Sequence, residues 1–179
     1  NESNYALRCL VGEENFYTGV SDREHEVNKL MLQLHRDSAF NIPSVRDIEK
    51  ADAVLIVGED VTNTAPRIAL ALRQSVRNKA SELAAENNIP GWQDAAVREL
   101  AQHNRSPLYI LSNAATRLDD VAVETATGSY SDQARITYAV ANAIADQSND
   151  ALELSDSQQA LVEKISQALK SAKRPLVVT

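Results

Sequence analysis

The stretch DAVLIVGEDVTNTAPRIALAL, residues 52–72, decides the fold. Residues 53–57 are consecutive apolar residues, and an apolar run without alternation is typical of a strand covered on both faces of a parallel sheet. Gly58 ends the run, and a polar loop follows it. From Pro66 onward apolar residues recur at helical spacing, which predicts a helix from Pro66 to about Glu86. The stretch therefore predicts a strand, a loop and a helix.

The loop between this strand and this helix is the first place to look for a binding site. In doubly wound α/β folds, ligands lie at the carboxyl ends of the strands. Pro66 suits a first helical turn, where a missing N–H group is tolerated. The loop also holds three residues that are candidate caps for that helix: Thr62, Asn63 and Thr64.

Carboxylates are the most suggestive side chains at this strand end. Glu59 and Asp60 stand where a carboxylate can meet a ribose or a metal ion. The simpler interpretation is that both cap and solvate the loop, since the start of a helix favours negative charge. The weaker candidates of the same kind are Asp119, Asp120 and Asp132.

The rest of the pattern alternates helices with strands. Helices are predicted over 1–11, from Ser21 to about Arg36, over 45–50, around Trp92 to Leu100, around Ile136 to Ile144, and after Ser155. Further strands are predicted at 107–111 and from Pro175, with a weaker edge candidate at 121–125. Strands separated by helices pair in parallel, so we expect a three-layer αβα fold with an open, mostly parallel sheet.

Composition limits the classes of partner. The 179 residues include 18 Lys and Arg against 25 Asp and Glu, for a net charge of −7. Without a dense basic run, we expect no nucleic-acid partner. No segment approaches the roughly 20 apolar residues of a membrane span, so we expect no direct membrane insertion. The chain starts at Asn1 without a Met and ends at Thr179 at a strand tip, which predicts a single domain over 1–179 within a longer chain.

Residues for familiar catalytic or metal sites are scarce. One cysteine, Cys9, cannot form an internal disulfide or hold an iron–sulfur cluster alone. The histidines, His25, His35 and His103, lie at spacings that do not converge on one helix face. The sequence contains no G-x-S-x-G, Walker or G-x-G-x-x-G motif. We therefore predict no catalytic residue and no metal site.

Three loops resemble those of the molybdopterin oxidoreductases, the family of formate dehydrogenase and nitrate reductase. They read GEDVTNTAP at 58–66, LSNAAT at 111–116 and SYSDQA at 129–134. The family patterns typically read G-x-N-P-x-x-x-x-P, D-P-R-x-T and P-G-T-D-x-A. Over essentially the whole chain, the sequence is similar to the molybdopterin-oxidoreductase-like portion of the large iron–sulfur subunits of bacterial NADH:quinone oxidoreductases, complex I. That similarity is carried by residues 4–19, 52–62 and 116–120.

The sequence departs from the family patterns at positions that would bind the cofactor. Asp60 and Val61 stand where Asn and Pro are usual, and 112–114 read SNA in place of D-P-R. Tyr130 stands where a glycine would let the backbone approach a nucleotide closely. The missing Asp would have supplied a carboxylate that accepts a hydrogen bond from a hydroxyl, and the missing Arg a guanidinium with two parallel N–H donors. The resemblance thus implies a formate dehydrogenase/DMSO reductase-like, Rossmann-like scaffold without its pterin dinucleotide, whose vestigial loop positions are Gly58, Asp60, Pro66, Thr116 and Asp132.

The resemblance also implies a function and partners. It implies a non-catalytic structural domain of an NADH-to-quinone electron-transfer enzyme, with no cofactor in this chain and 2Fe-2S and 4Fe-4S clusters on cysteines elsewhere in the parent subunit. The implied partners are other subunits of the peripheral arm of complex I, on the cytoplasmic side of the bacterial inner membrane. The alternatives are an active fragment that binds a pterin guanine dinucleotide and a free-standing module that binds a nucleotide or small molecule.

Overall fold

A computed structural model describes residues 2–37, 39, 41–149 and 152–179 of the chain. The chain divides into two compact units, residues 1–42 and 43–179. The arrangement of one domain over 1–179 stays a prediction. No helix within the described ranges is long and apolar enough to cross a bilayer.

The described residues of the first unit form two helices. They are α1 (Glu2–Val11) and α2 (Asp22–Arg36), with a single 3-10 turn at Glu13–Asn15 between them. Gly12 ends α1 with a φ of 88°, a left-handed conformation that favours glycine. Ser21 caps α2, since its hydroxyl accepts a hydrogen bond from the Glu24 N–H at 3.3 Å. Both helices were predicted, although Asn1 lies outside the described residues.

The second unit is built on a parallel sheet of four strands in the order β3-β2-β1-β4. Its strands are β1 (Ala53–Val57), β2 (Leu108–Ser112), β3 (Glu124–Thr127) and β4 (Pro175–Val178). Its helices are α3 (Val45–Ile48), α4 (Val61–Thr64), α5 (Pro66–Ser75), α6 (Asn78–Glu86), α7 (Asp94–Ala101), α8 (Tyr130–Ile144) and α9 (Asp156–Ser171). The predicted α/β class and parallel sheet are confirmed.

Alternate residues of the central strands enter two separate cores. Val54 and Ile56 of β1 pack with Leu72 of α5 on one face. Leu55 faces the opposite way and packs with Ile165 of α9. Because successive side chains of a strand point to opposite faces, one apolar run supplies both cores. Helices on both faces of the sheet are consistent with the predicted three layers.

The predicted helix from Pro66 to Glu86 is wrong, because the chain breaks it into α5 and α6. Ser106, which precedes β2, inserts at the break. Its N–H donates to the Val76 carbonyl at 3.0 Å, and its hydroxyl accepts from the Lys79 N–H at 3.1 Å. These bonds replace helical bonds that would otherwise run through the junction. A residue about thirty positions away thus ends the helix.

The weak strand predicted at 121–125 is an edge strand, as expected, but it starts three residues later. Val121 and Ala122 stay in a turn, and both of their N–H groups donate to the Leu118 carbonyl. Leu118 is buried in the α5-side core, which holds this turn against that face. Pairing with β2 therefore begins only at Glu124, opposite Tyr109.

Candidate functional site

The candidate site lies at the carboxyl end of the sheet, in the loops that follow β1, β2 and β3. We call residues 58–66, 112–119 and 128–133 the crest loops. All four strands are parallel, so these loops leave the sheet at the same edge. The chain adds β2 and then β3 on one side of β1, and it adds β4 on the other side. The carboxyl end of β1 is therefore at the switch point, where doubly wound folds bind ligands.

In the first crest loop, Asp60 is a helix cap. Its carboxylate accepts hydrogen bonds from the Thr62 N–H at 3.1 Å and from the Asn63 side-chain amide at 2.6 Å. These bonds start the short helix α4. The prediction that Thr62, Asn63 and Thr64 cap the helix at Pro66 is wrong, because all three lie within α4.

The start of α5 agrees with the sequence in another respect. Pro66 is the first residue of α5, as predicted, and no side chain caps this helix, since Ala65 precedes it. Glu59 is half-buried in the same loop. Gly58 has a φ of 77°, and its N–H donates to the Leu111 carbonyl at 2.8 Å. The first loop is therefore fixed by bonds of its own and by a bond to β2.

In the second crest loop, Thr116 and Asp119 bind each other. The Thr116 hydroxyl donates to the Asp119 carboxylate at 2.7 Å, and the Thr116 N–H donates to its other oxygen at 3.2 Å. The Leu118 N–H donates back to the Thr116 hydroxyl at 3.3 Å. Asp120 points to a different element, since it pairs with Arg73 of α5. Asp119 thus stabilises its own loop, and Asp120 joins the segment after β2 to α5.

In the third crest loop, Ser129 and Asp132 form a capping box at the start of α8. The Ser129 N–H donates to the Asp132 carboxylate, and the Asp132 N–H donates to the Ser129 hydroxyl, each at 3.2 Å. Arg135 forms an ion pair with the same carboxylate. The hydrogen bond from the Ser129 hydroxyl, followed by that from Arg135, lowers the pKa of Asp132 below its ordinary value. Asp132 is an anion that already has its partners.

Hydrogen bonds join the second crest loop to the third, and one of them runs from the Gly128 N–H to the Ser112 carbonyl at 3.0 Å. The side-chain amide of Asn113 donates to the Tyr130 hydroxyl at 3.2 Å, which links the second loop to the third. A methyl group added at Gly58 would lie 3.5 Å from Oε1 of Gln133, so the first loop also approaches α8. Among the described residues, no hydrogen bond joins Asp60, Thr116 and Asp132 to one another. The predicted positions share an edge of the sheet without forming one cluster.

Gln133 is a crest residue that the sequence did not single out. Its side chain is 3% exposed, and its Nε2 donates to the Gly128 carbonyl at 3.0 Å. Its Oε1 is buried without a hydrogen-bond partner. A glutamine near the start of a helix is normally a solvated residue, so no local pattern marks it. Only the packing of α8 against β1 and β2 buries it.

The metal-ligand types are scattered. In the part of the chain that the structure describes, no three His, Cys, Asp or Glu residues come together in a group that could hold a metal ion. His25 and His35 lie on α2, and His103 follows α7. Cys9 is a free, exposed thiol on α1.

Sequence comparison finds relatives that are longer than this chain. No family model matches the chain. It is 50% identical over 178 residues to the G subunit of NADH-quinone oxidoreductase from Pseudomonas fluorescens. Identity is 44% over 178 residues to the corresponding protein of Yersinia pestis and 45% over 179 residues to that of Escherichia coli strain K12. These alignments cover 99% of this chain but 20% of each relative, so the chain spans about a fifth of their length. The resemblance to the large iron–sulfur subunits of bacterial NADH:quinone oxidoreductases is thereby confirmed, whereas the likeness of the loops to those of the molybdopterin oxidoreductases stays a prediction. Over nearly its whole length, the chain is similar to a segment of the G subunit of NADH-quinone oxidoreductase.

Proposed function

We propose that this chain is a non-catalytic structural part of an NADH-quinone oxidoreductase, with the scaffold of the formate dehydrogenase/DMSO reductase-like family and a crest that no longer holds a pterin dinucleotide. The 44–50% identity to G subunits of that enzyme, over 99% of the chain, supports the assignment. Electron transfer from NADH to quinone then belongs to the whole assembly, and this part contributes its shape and surfaces.

The contact between Asn113 and Tyr130 carries the proposal for the crest. It spans the second and third crest loops at 3.2 Å, across the space that a dinucleotide would have to cover. In the related family pattern the position of Tyr130 is a glycine, whose missing side chain lets the backbone approach a nucleotide. The phenol ring of Tyr130, which is 68% exposed, stands at that position here, and this difference supports the loss of the cofactor.

The crest carboxylates support the same interpretation. Asp60, Asp119 and Asp132 each accept two or more hydrogen bonds from their own loop. A ribose hydroxyl needs a carboxylate oxygen that is available as an acceptor. Binding there would first break bonds that hold the starts of α4 and α8, which costs about 1 kcal/mol for each cap.

Iron–sulfur clusters, in this proposal, belong to other parts of the parent protein. A cluster needs several thiolate ligands, and the chain has one cysteine. The chain packs against other subunits of the peripheral arm, on the cytoplasmic side of the bacterial inner membrane. Its role is to shield the cluster-bearing part and to present surface to its neighbours.

The test is the cofactor content of the intact, purified enzyme that contains this chain. Oxidised pterin fluorescence and guanine nucleotide analysis should find neither compound, with a genuine molybdopterin enzyme as the positive control. Asp60→Asn and Asp132→Asn should leave NADH:quinone turnover unchanged for each assembled complex. Stoichiometric pterin in the purified enzyme would disprove the proposal.

The second candidate function is retention of a ligand at the crest, and one observation favours it. Gln133 Oε1 is a buried acceptor without a partner, and a Cβ added at Gly58 would lie 3.5 Å from it. A ligand N–H group could satisfy that oxygen. Calorimetric titration of the intact enzyme with guanosine diphosphate separates the two candidates, because heat that disappears in Gln133→Leu would favour retention.

A further inference from the structure

A cavity lies at the opposite end of the sheet from the crest. Its volume is about 600 Å³. Glu49, Arg105 and Val121 line it, and these residues precede β1, β2 and β3 respectively. The cavity therefore opens at the amino ends of the strands, between α5, α6 and α7, and belongs wholly to the second unit.

Guanidinium groups dominate this cavity, which we call the arginine groove. Its four arginines are Arg73, Arg77, Arg98 and Arg105. Arg73 binds the Asp120 carboxylate, and Arg105 donates to the Asp120 carbonyl at 3.3 Å. Arg77 and Arg98 share the Asp94 carboxylate. With Glu49, three carboxylates face four guanidiniums, so the groove is locally positive on a chain whose net charge is −7.

Two of these arginines are well placed to bind more than they now do. The side chains of Arg77 and Arg98 are 61% and 76% exposed, and each reaches Asp94 through one terminal nitrogen. A guanidinium has five N–H donors, so both retain donors for another acceptor. Asp94 itself demonstrates that one carboxylate can bridge the pair. The groove therefore has guanidinium N–H donors that remain available for another carboxylate.

An exposed aromatic residue is next in sequence to a residue that lines the groove. Trp92, the single tryptophan of the chain, is 81% exposed and follows Gly91, which lines the groove. Tryptophan and arginine are among the side chains most enriched at positions that dominate binding energy in protein interfaces. An exposed tryptophan together with guanidinium groups that have unused N–H donors therefore indicates a protein partner. Guanidinium groups also bind phosphate, so the exposed Trp92 is the feature that favours a protein segment over a small anion.

We propose that the arginine groove docks an acidic segment of a neighbouring subunit. Aspartate or glutamate carboxylates of that segment bind Arg77, Arg98 and Arg105, and an apolar side chain of the same segment packs on Trp92. This inference rests on the proposed function, since it requires the chain to sit among other subunits. It adds which surface makes the contact and the chemistry of the partner.

The test uses the intact enzyme with a photoreactive p-benzoylphenylalanine in place of Trp92. After irradiation, mass spectrometry should find this position joined to an Asp- and Glu-rich segment of another subunit. The yield should fall as salt rises from about 0.1 M to about 1 M, because the screening length drops from about 10 Å to about 3 Å. The matched control places the same photoreactive residue at Tyr138, which is 61% exposed on α8, and should not give this product.

Substitutions in the groove give effects of opposite sign. Combining Arg98→Gln with Arg105→Gln should lower the cross-linking yield about five-fold, as expected for losing two interfacial charges. Asp94→Asn should raise the yield, because it removes the carboxylate that competes for Arg77 and Arg98. Arg67→Gln, which changes an exposed arginine outside the groove, is the matched control and should change nothing.

The outcomes separate this inference from the function on which it rests. If the complex assembles normally but position 92 joins no acidic segment, or if Asp94→Asn lowers the yield, the docking inference is wrong while the structural role stands. If purified enzyme contains stoichiometric pterin, the proposed function is wrong whatever position 92 contacts.

Discussion

Arg73 joins two parts of the second unit that are far apart in the sequence. Its guanidinium donates to both carboxylate oxygens of Asp120, at 2.7 and 2.9 Å, and to the Arg117 carbonyl at 2.7 Å. This two-point contact holds the link between β2 and β3 against α5. The hydrogen bond from Arg73 lowers the pKa of Asp120 below its ordinary value of 3.8.

That shift predicts a pH dependence whose sign follows from linkage. A carboxylate with a lowered folded-state pKa contributes stability above its unfolded pKa, and this contribution is lost as pH falls through the folded value. We expect the pair to stabilise the fold at neutral pH and to fail in acid. In Asp120→Asn, the free energy of unfolding should be lower at neutral pH and should fall less steeply below about pH 4.

Urea unfolding at a series of pH values measures this difference. Glu99→Gln, at an exposed position of α7, is the control and should keep the acid slope of the parent protein. Parallel curves for Asp120→Asn and the unsubstituted protein would show that ionisation of Asp120 does not contribute to the pH dependence of stability, and would contradict the prediction.

At the scale of elements, Ser106 decides where α5 ends and α6 begins. Its buried hydroxyl accepts from the Lys79 N–H in the first turn of α6. Ser106→Ala leaves that N–H without an acceptor, so we expect a loss of about 1 to 2 kcal/mol in the free energy of unfolding. Ser131→Ala, at an exposed helical position, is the control. A loss confined to a few tenths of a kcal/mol would mean that water replaces the hydroxyl.

The start of α8 gives a second prediction at this scale, which also bears on the crest. Asp132→Ala removes half of the capping box and the partner of Arg135. We expect the free energy of unfolding to fall by about 1 kcal/mol, since capping groups contribute that much. The capping box at Ser155, at the start of α9, supplies a comparison, because Ser155→Ala should have a similar effect without touching the crest. Unchanged stability in Asp132→Ala would argue that the carboxylate is kept for a ligand.

For the second unit as a whole, stability comes from two cores that the sheet separates. Leu72 and Ile165 are each fully buried, one in each core. Leu72→Ala and Ile165→Ala should each lower the free energy of unfolding by about 2 to 5 kcal/mol through lost burial and cavity formation. Because the two side chains lie in separate cores, their effects should add within about 0.5 kcal/mol in the double variant.

Chemical denaturation of the two single variants and of the double variant measures this additivity. Leu70→Ala changes a half-exposed leucine of the same helix as Leu72 and should cost much less. A double variant that loses far less than the sum would indicate that the two cores are coupled through the sheet.

The sequence alone determined the sheet's centre and most helix starts. Residues 53–57 and 108–111 are uninterrupted apolar runs, and such runs require cover on both faces wherever they are placed. Ser21, Ser44 and Ser155 begin helices through partners three residues away, so the information is local. The positions Gly58, Asp60, Pro66, Thr116 and Asp132 were chosen from the resemblance to the molybdopterin oxidoreductases, and their vestigial character stays a prediction.

Only the tertiary structure decided the features that depend on distant residues. The break at Val76 needs Ser106, the late start of β3 needs Leu118 in the core, and the burial of Gln133 needs α8 against the sheet. The arginine groove likewise assembles side chains from α5, α7 and the segment before β2. Hydrogen bonds and cavities across such separations depend on which surfaces meet, and a pattern that repeats every two to four residues does not encode that.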